Sequence, residues 1–164
     1  MDNNNNGDRV VARRIEIMAK IIKGRINYLA AVALTILNSI LYLFSTGIEL
    51  PFYLSIPYYL LILGKSPSKD DGKPTIVITF LIGWGVLLVL SAVLFFLTKK
   101  SGKWFKVITG YLIVDSLFVI LLGVYAYLSG GGFSPIFTLV LNLAYHIWVI
   151  VYSISASRAE YALT

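Results

Sequence analysis

Cysteine is absent from the 164 residues, so the chain has no disulfide, thiolate metal site, thiol redox centre or palmitoyl anchor. Histidine occurs once, as His146, which excludes multi-histidine zinc or haem centres. No metal and no cofactor is therefore expected. Charge is scarce: 13% of residues are Asp, Glu, Lys or Arg, against roughly 25% in an ordinary soluble domain. Catalytic motifs are missing too. There is no Gly-x-Ser-x-Gly elbow, His-Glu-x-x-His pair, phosphate-binding glycine loop or dinucleotide fingerprint. Gly130-Gly131-Gly132 lacks the lysine and preceding strand of a phosphate loop. Ser153 lies about two turns from His146 on one predicted helix, which is poor geometry for a serine hydrolase. Asp115 is the sole carboxylate inside a predicted span, so an aspartyl dyad is impossible. The expectation is a protein that is not an enzyme.

What is present is apolar: 58% of residues are hydrophobic and 14% aromatic. A soluble fold of this size cannot hide so much apolar surface, so the chain reads as a membrane protein. Its length allows one compact unit of about four spans. The predicted class is an all-α, four-helix transmembrane bundle, with a basic amphipathic amino-terminal helix and a short re-entrant or interfacial segment after the first span.

Residues 1–8 are polar and aperiodic, and read as a disordered tail. Over residues 9–25, Val11, Ile15, Met18 and Ile22 share one helical face. This predicts a basic amphipathic helix lying flat on an anionic leaflet; a stub that only carries topogenic charge is the alternative. The first span covers about 27–45. A secretory signal peptide competes with it, but the charged region would be long and Ser45-Thr46-Gly47 is a loose cleavage site. Asn27, Ala31, Thr35, Asn38, Tyr42 and Ser45 fall within roughly 80° on that helix, a small and polar stripe that should face other helices.

Residues 50–64 are apolar but short for a crossing, and Pro51 and Pro57 interrupt them. A re-entrant or interfacial segment fits better. Residues 65–73 form a polar loop, in which Asp70-Asp71-Gly72 is too sparse for a cation site. The second span covers about 75–98, with Gly83, Gly85, Ser91 and Ala92 as candidate close-packing points. The third covers about 107–129. The fourth covers about 135–157, with Ser134 and Pro135 as N-cap and first helical residue. The spans together form a single transmembrane domain over 26–157, and 158–164 is a short tail.

The basic excess of +6 is unevenly spread. The amino-terminal tail carries six basic and three acidic residues, and the 99–106 loop four basic and no acidic residues. Placing both termini and that loop in the cytoplasm satisfies the positive-inside rule. Arg9, Arg13, Arg14, Lys20, Lys23, Arg25, Lys99, Lys100, Lys103 and Lys106 then become contacts for anionic lipid headgroups of the cytoplasmic membrane. The bilayer is one partner; a membrane-protein partner or a second copy is another; nucleic acid is not expected.

The exception to the greasy pattern is Asp115. A carboxylate in a span costs about 2.5–3.5 kcal/mol on insertion scales and must face the bundle interior. Counting rise per residue puts His146 within roughly one turn of the same depth. Asn38, Tyr111 and Asn142 come close to that level, so Asn38, Tyr111, Asp115, Asn142 and His146 are expected to form one buried polar cluster. Two readings stand. The cluster is helix glue in an interaction or accessory subunit, or it is a proton relay or ligand site in a small proton-coupled transporter or ligand-binding membrane protein.

Three stretches carry a resemblance: Leu54-Ser55-Ile56-Pro57-Tyr58-Tyr59-Leu60, Ile113-Val114-Asp115-Ser116-Leu117, and His146-Ile147-Trp148-Val149 with Tyr152. Together they resemble a group of small, uncharacterised four-span membrane proteins of bacteria, chiefly Gram-positive ones, from the first span onward. The resemblance implies a small inner-membrane protein in which Asp115, His146 and the Ser-x-Pro turn are marked positions. It implies no activity, and it does not extend to the basic amino-terminal helix.

Overall fold

The computed structural model describes residues 3–65, 74–130 and 133–162. The described residues form five helices: α1 (Asn3–Leu43), α2 (Ser55–Lys65), α3 (Pro74–Thr98), α4 (Lys103–Leu128) and α5 (Phe133–Tyr161). Four of them, α1, α3, α4 and α5, contain stretches long and apolar enough to cross a bilayer. The Asp70-Asp71-Gly72 loop and part of the glycine run lie outside the described residues. Helix α5 begins one residue before the expected cap at Ser134.

Helix α1 departs most from expectation. It is unbroken for 41 residues, about 60 Å at 1.5 Å per residue. It absorbs most of the stretch read as a disordered tail and all of the separate surface helix. No proline occurs before Pro51, and extending an existing helix avoids the cost of a new nucleus. The amino-terminal half is continuous with the first long apolar stretch rather than a separate helix, and it packs on the bundle through a second face. Ile17 and Ile21 are buried against Phe105, Ala156 and Ala159, whereas Val11, Ile15, Met18 and Ile22 point outward and are exposed. The tightest crossing of α1 on α5 is at Gly24, where a Cβ would lie 2.5 Å from that of Ala156. Gly85 in α3, read as a packing point, has open space instead.

The end of α1 is a Schellman turn. The N–H of Thr46 donates to Leu41 O and that of Ser45 to Tyr42 O, with Ser45 in the left-handed region at φ 53°. The chain then descends along α1. Leu50 pairs with Asn38, and Leu54 reaches Thr35. At that level α2 starts and climbs back. Its last residue, Lys65, donates to the carbonyls of Tyr42 and Leu43 and to the Ser45 hydroxyl. Residues 44–65 are therefore a hairpin that leaves and returns at the same end of α1.

The long helices surround this hairpin. Helix α5 packs on both α1 and α4, and α3 packs on α2, α1 and α4. Between α1 and α4 the space is taken by the hairpin, and Leu54 joins Tyr28, Ala31, Leu94, Ile108, Leu112 and Val149 in the central apolar cluster. At the opposite end Arg25 Nη2 donates to Thr98 O at 2.6 Å, and Glu160 accepts from the Gly102 N–H at the start of α4.

Candidate functional site

A descending backbone inside a bundle brings N–H groups that no helix satisfies. In hydrocarbon each must find a partner within the protein. Five such groups in residues 50–56 do so, and all of their partners are side chains from the long helices. Asn38 Oδ1 accepts from Leu50 at 2.9 Å, and Asn142 Oδ1 accepts from Tyr53 at 3.1 Å. Thr35 Oγ1 accepts from Leu54 at 2.7 Å. Asp115 takes the last two, Oδ2 from Ser55 and Oδ1 from Ile56, both at 2.7 Å.

Ser55 and Ile56 open α2, preceded by Leu54, which has no side-chain acceptor with which to cap. Pro57 lacks an N–H, and the Tyr58 N–H reaches Leu54 O. The carboxylate of Asp115 thus supplies from α4 the cap that α2 cannot supply itself, at the positive end of the helix dipole. Two acceptor oxygens match two donors; an amide would aim its NH2 at one of them. Asn142 completes the clamp by donating to Ser55 Oγ at 2.7 Å.

The Asp115–His146 contact expected from depth is present. His146 Nε2 lies 2.9 Å from Asp115 Oδ2, with both side chains fully buried. Neither ring nitrogen has an in-line hydrogen bond, so this is a close polar contact rather than a well-formed bond. Asn142, one turn before His146 on α5, bonds the hairpin at Tyr53 and Ser55. Asn38 serves the upper part of the hairpin and does not touch the Asp115–His146 pair. Tyr111 packs on the central apolar cluster, and its hydroxyl finds no hydrogen-bond partner among the described residues. The five residues therefore do not form one continuous network. Three act directly on the hairpin backbone, one lies against Asp115, and one stands apart.

Thr35 belongs to the clamp but was read only as part of a stripe, and Ser55 was read only as part of a turn. The signal that finds them is the proline-broken segment itself: if it is buried, its N–H groups need a count of acceptors. The backbone donors themselves leave no mark in a sequence.

The basic residues divide. Arg9, Arg13, Arg14, Lys23, Lys100 and Lys103 are exposed. Lys20 is exposed but bonded to Glu16 at 2.7 Å. Lys99 lies over the rings of Phe95 and Phe96, and Lys106 over Tyr161. Arg25 ties α1 to α3, which is an interhelical role. Arg13, Lys20 and Arg158 line a groove between α1 and α5, with Ile17 and Ile154 as its apolar wall. Among the described residues no group of three or more His, Cys, Asp or Glu is placed to hold a metal. No protein family matches the sequence, and no curated protein or solved structure matches it either.

Proposed function

We propose that the chain is a non-enzymatic, multi-pass protein of the cytoplasmic membrane that acts as an interaction or accessory subunit, with a re-entrant hairpin locked by its polar layer. One observation carries this reading: both oxygens of Asp115 are taken by backbone donors in a site closed to solvent. A proton carrier needs a carboxylate that water reaches and that changes partners. Here releasing the proton acceptor means undocking α2. The distribution of positive charge supports cytoplasmic termini. The cationic groove between α1 and α5 fits contact with anionic headgroups, and the long apolar faces fit a membrane partner or a second copy.

The test is proton flux into liposomes that contain the purified protein and a trapped pH-sensitive dye. Under an imposed pH gradient, the protein is expected to leak protons no faster than empty liposomes. A flux that disappears in Asp115→Asn would instead establish the transporter reading.

A further inference from the structure

A second feature of the hairpin faces outward, away from the clamp. A cavity of about 400 Å3 lies between the hairpin, α4 and α5. Glu49, Tyr53 and Tyr59 line it from the hairpin side, Leu122 and Tyr125 from α4, and Thr138 from α5. Its volume is within the range typical of small-molecule sites, roughly 300–1,000 Å3.

Its chemistry is one-sided. Among the described residues it is lined by one carboxylate and three phenol rings and by no lysine or arginine, in a chain whose net charge is +6. Among the described residues Glu49 has no cationic partner. Lys65, at the same end of α1, is occupied by two carbonyls, a hydroxyl and the Tyr42 ring. The carboxylate is held in place: the Tyr53 hydroxyl donates to Glu49 Oε1 at 2.8 Å, which leaves the second oxygen for a ligand. Tyr53 is itself fixed, since its backbone N–H donates to Asn142. Tyrosine faces attract cations, and carboxylate-plus-ring arrangements suit alkylated ammonium groups, whose shell is apolar and whose charge is diffuse.

We infer that this cavity is a binding site for a small organic cation bearing an alkylated ammonium group. The inference rests on the cavity alone and is independent of the accessory-subunit reading. The same chemistry is offered by a free ammonium compound and by the choline headgroup of a lipid.

Binding of tetramethylammonium to the purified full-length protein in a maltoside detergent tests it. Thermal stability and titration calorimetry are the readouts, with sodium at equal ionic strength as the reference. Saturable stabilisation by tetramethylammonium is expected, with none from 3,3-dimethyl-1-butanol, the neutral carbon isostere of choline. Glu49→Gln, at an exposed position, and Tyr59→Leu should each weaken binding at least tenfold. Unligated stability of both variants serves as the folding control, and a fold change measured in Glu49→Gln alone suffices if Tyr59→Leu misfolds. Nanodiscs separate the two sources. Competition by phosphatidylcholine but not phosphatidylglycerol identifies a lipid headgroup; equal binding in both identifies a free cation. The inference is overturned if the wild type shows no saturable binding, if the neutral analogue binds equally well, or if Glu49→Gln binds as the wild type does.

Discussion

Asp115 explains itself once its two oxygens are counted. Hydrogen bonds to a charged group contribute about 1.5–3 kcal/mol each, and a buried donor left unpaired carries its own penalty. Asp115→Asn keeps the shape but turns an NH2 towards one backbone donor. It is expected to destabilise the fold by about 2–4 kcal/mol, read as a fall in melting temperature in detergent. His146→Ala should cost less than Asp115→Ala, because the carboxylate keeps both backbone donors when the imidazole goes. Equal losses in those two variants would mean that the Asp115–His146 contact, not the cap, carries the energy. At this scale the sequence was informative about which side chains had to be inside. A carboxylate, an asparagine and a histidine on apolar helices have no other stable place. The backbone partners of Asp115 and Asn142 were not legible, because every residue except proline carries an N–H group.

At the scale of the element, the hairpin is the unit that matters. Pro51 and Pro57 predicted a broken half-segment, and residues 44–65 form one. What holds it is spread over three helices: Thr35 and Asn38 on α1, Asp115 on α4 and Asn142 on α5. Lys65 closes the outer end. Lys65→Met should change global stability by less than about 1 kcal/mol, as exposed charged contacts do. It should nonetheless speed amide exchange over residues 44–50 more than at the Asp115-capped turn. Gly24 tells a different story. The glycines of α3 looked like packing points, but the close approach lies at Gly24, in a stretch read as a surface helix. Gly24→Ala is expected to destabilise by about 1–3 kcal/mol through overpacking, and adding Ala156→Gly should recover most of that loss. A double variant no better than Gly24→Ala would refute the crossing. Two apolar stripes run along the first part of α1, and the pattern picks out the one that stays exposed. The stripe of Val11, Ile15, Met18 and Ile22 is the more regular, but Ile17 and Ile21 lie beside the small residues that α5 can approach.

For the whole molecule, the cysteine-free sequence makes topology directly measurable. Single cysteines at Thr46 and Lys65 should react with a membrane-impermeant maleimide from the same side, and one at Ser101 only from the other. Labelling of Thr46→Cys and Lys65→Cys from opposite sides would show that the hairpin crosses. Helix α1, at about 60 Å, is about twice the usual hydrocarbon thickness. In a bilayer of that thickness a helix of this length would tilt or extend beyond the hydrocarbon at its amino-terminal turns.

Composition and periodicity alone determined the class, the number of long apolar helices and the short broken segment. These depend on local patterns of side chains, which transfer free energy sorts in the same way wherever they sit. They also singled out Asp115 and His146, because burial of an ionisable group is costly in any arrangement. Only the tertiary structure decided that the carboxylate caps another helix, that the predicted surface face of α1 is its outer face, and that a carboxylate and three tyrosines share one cavity. Each of these pairs groups far apart in sequence, and hydrogen-bond geometry between distant elements is not encoded in the period of either one.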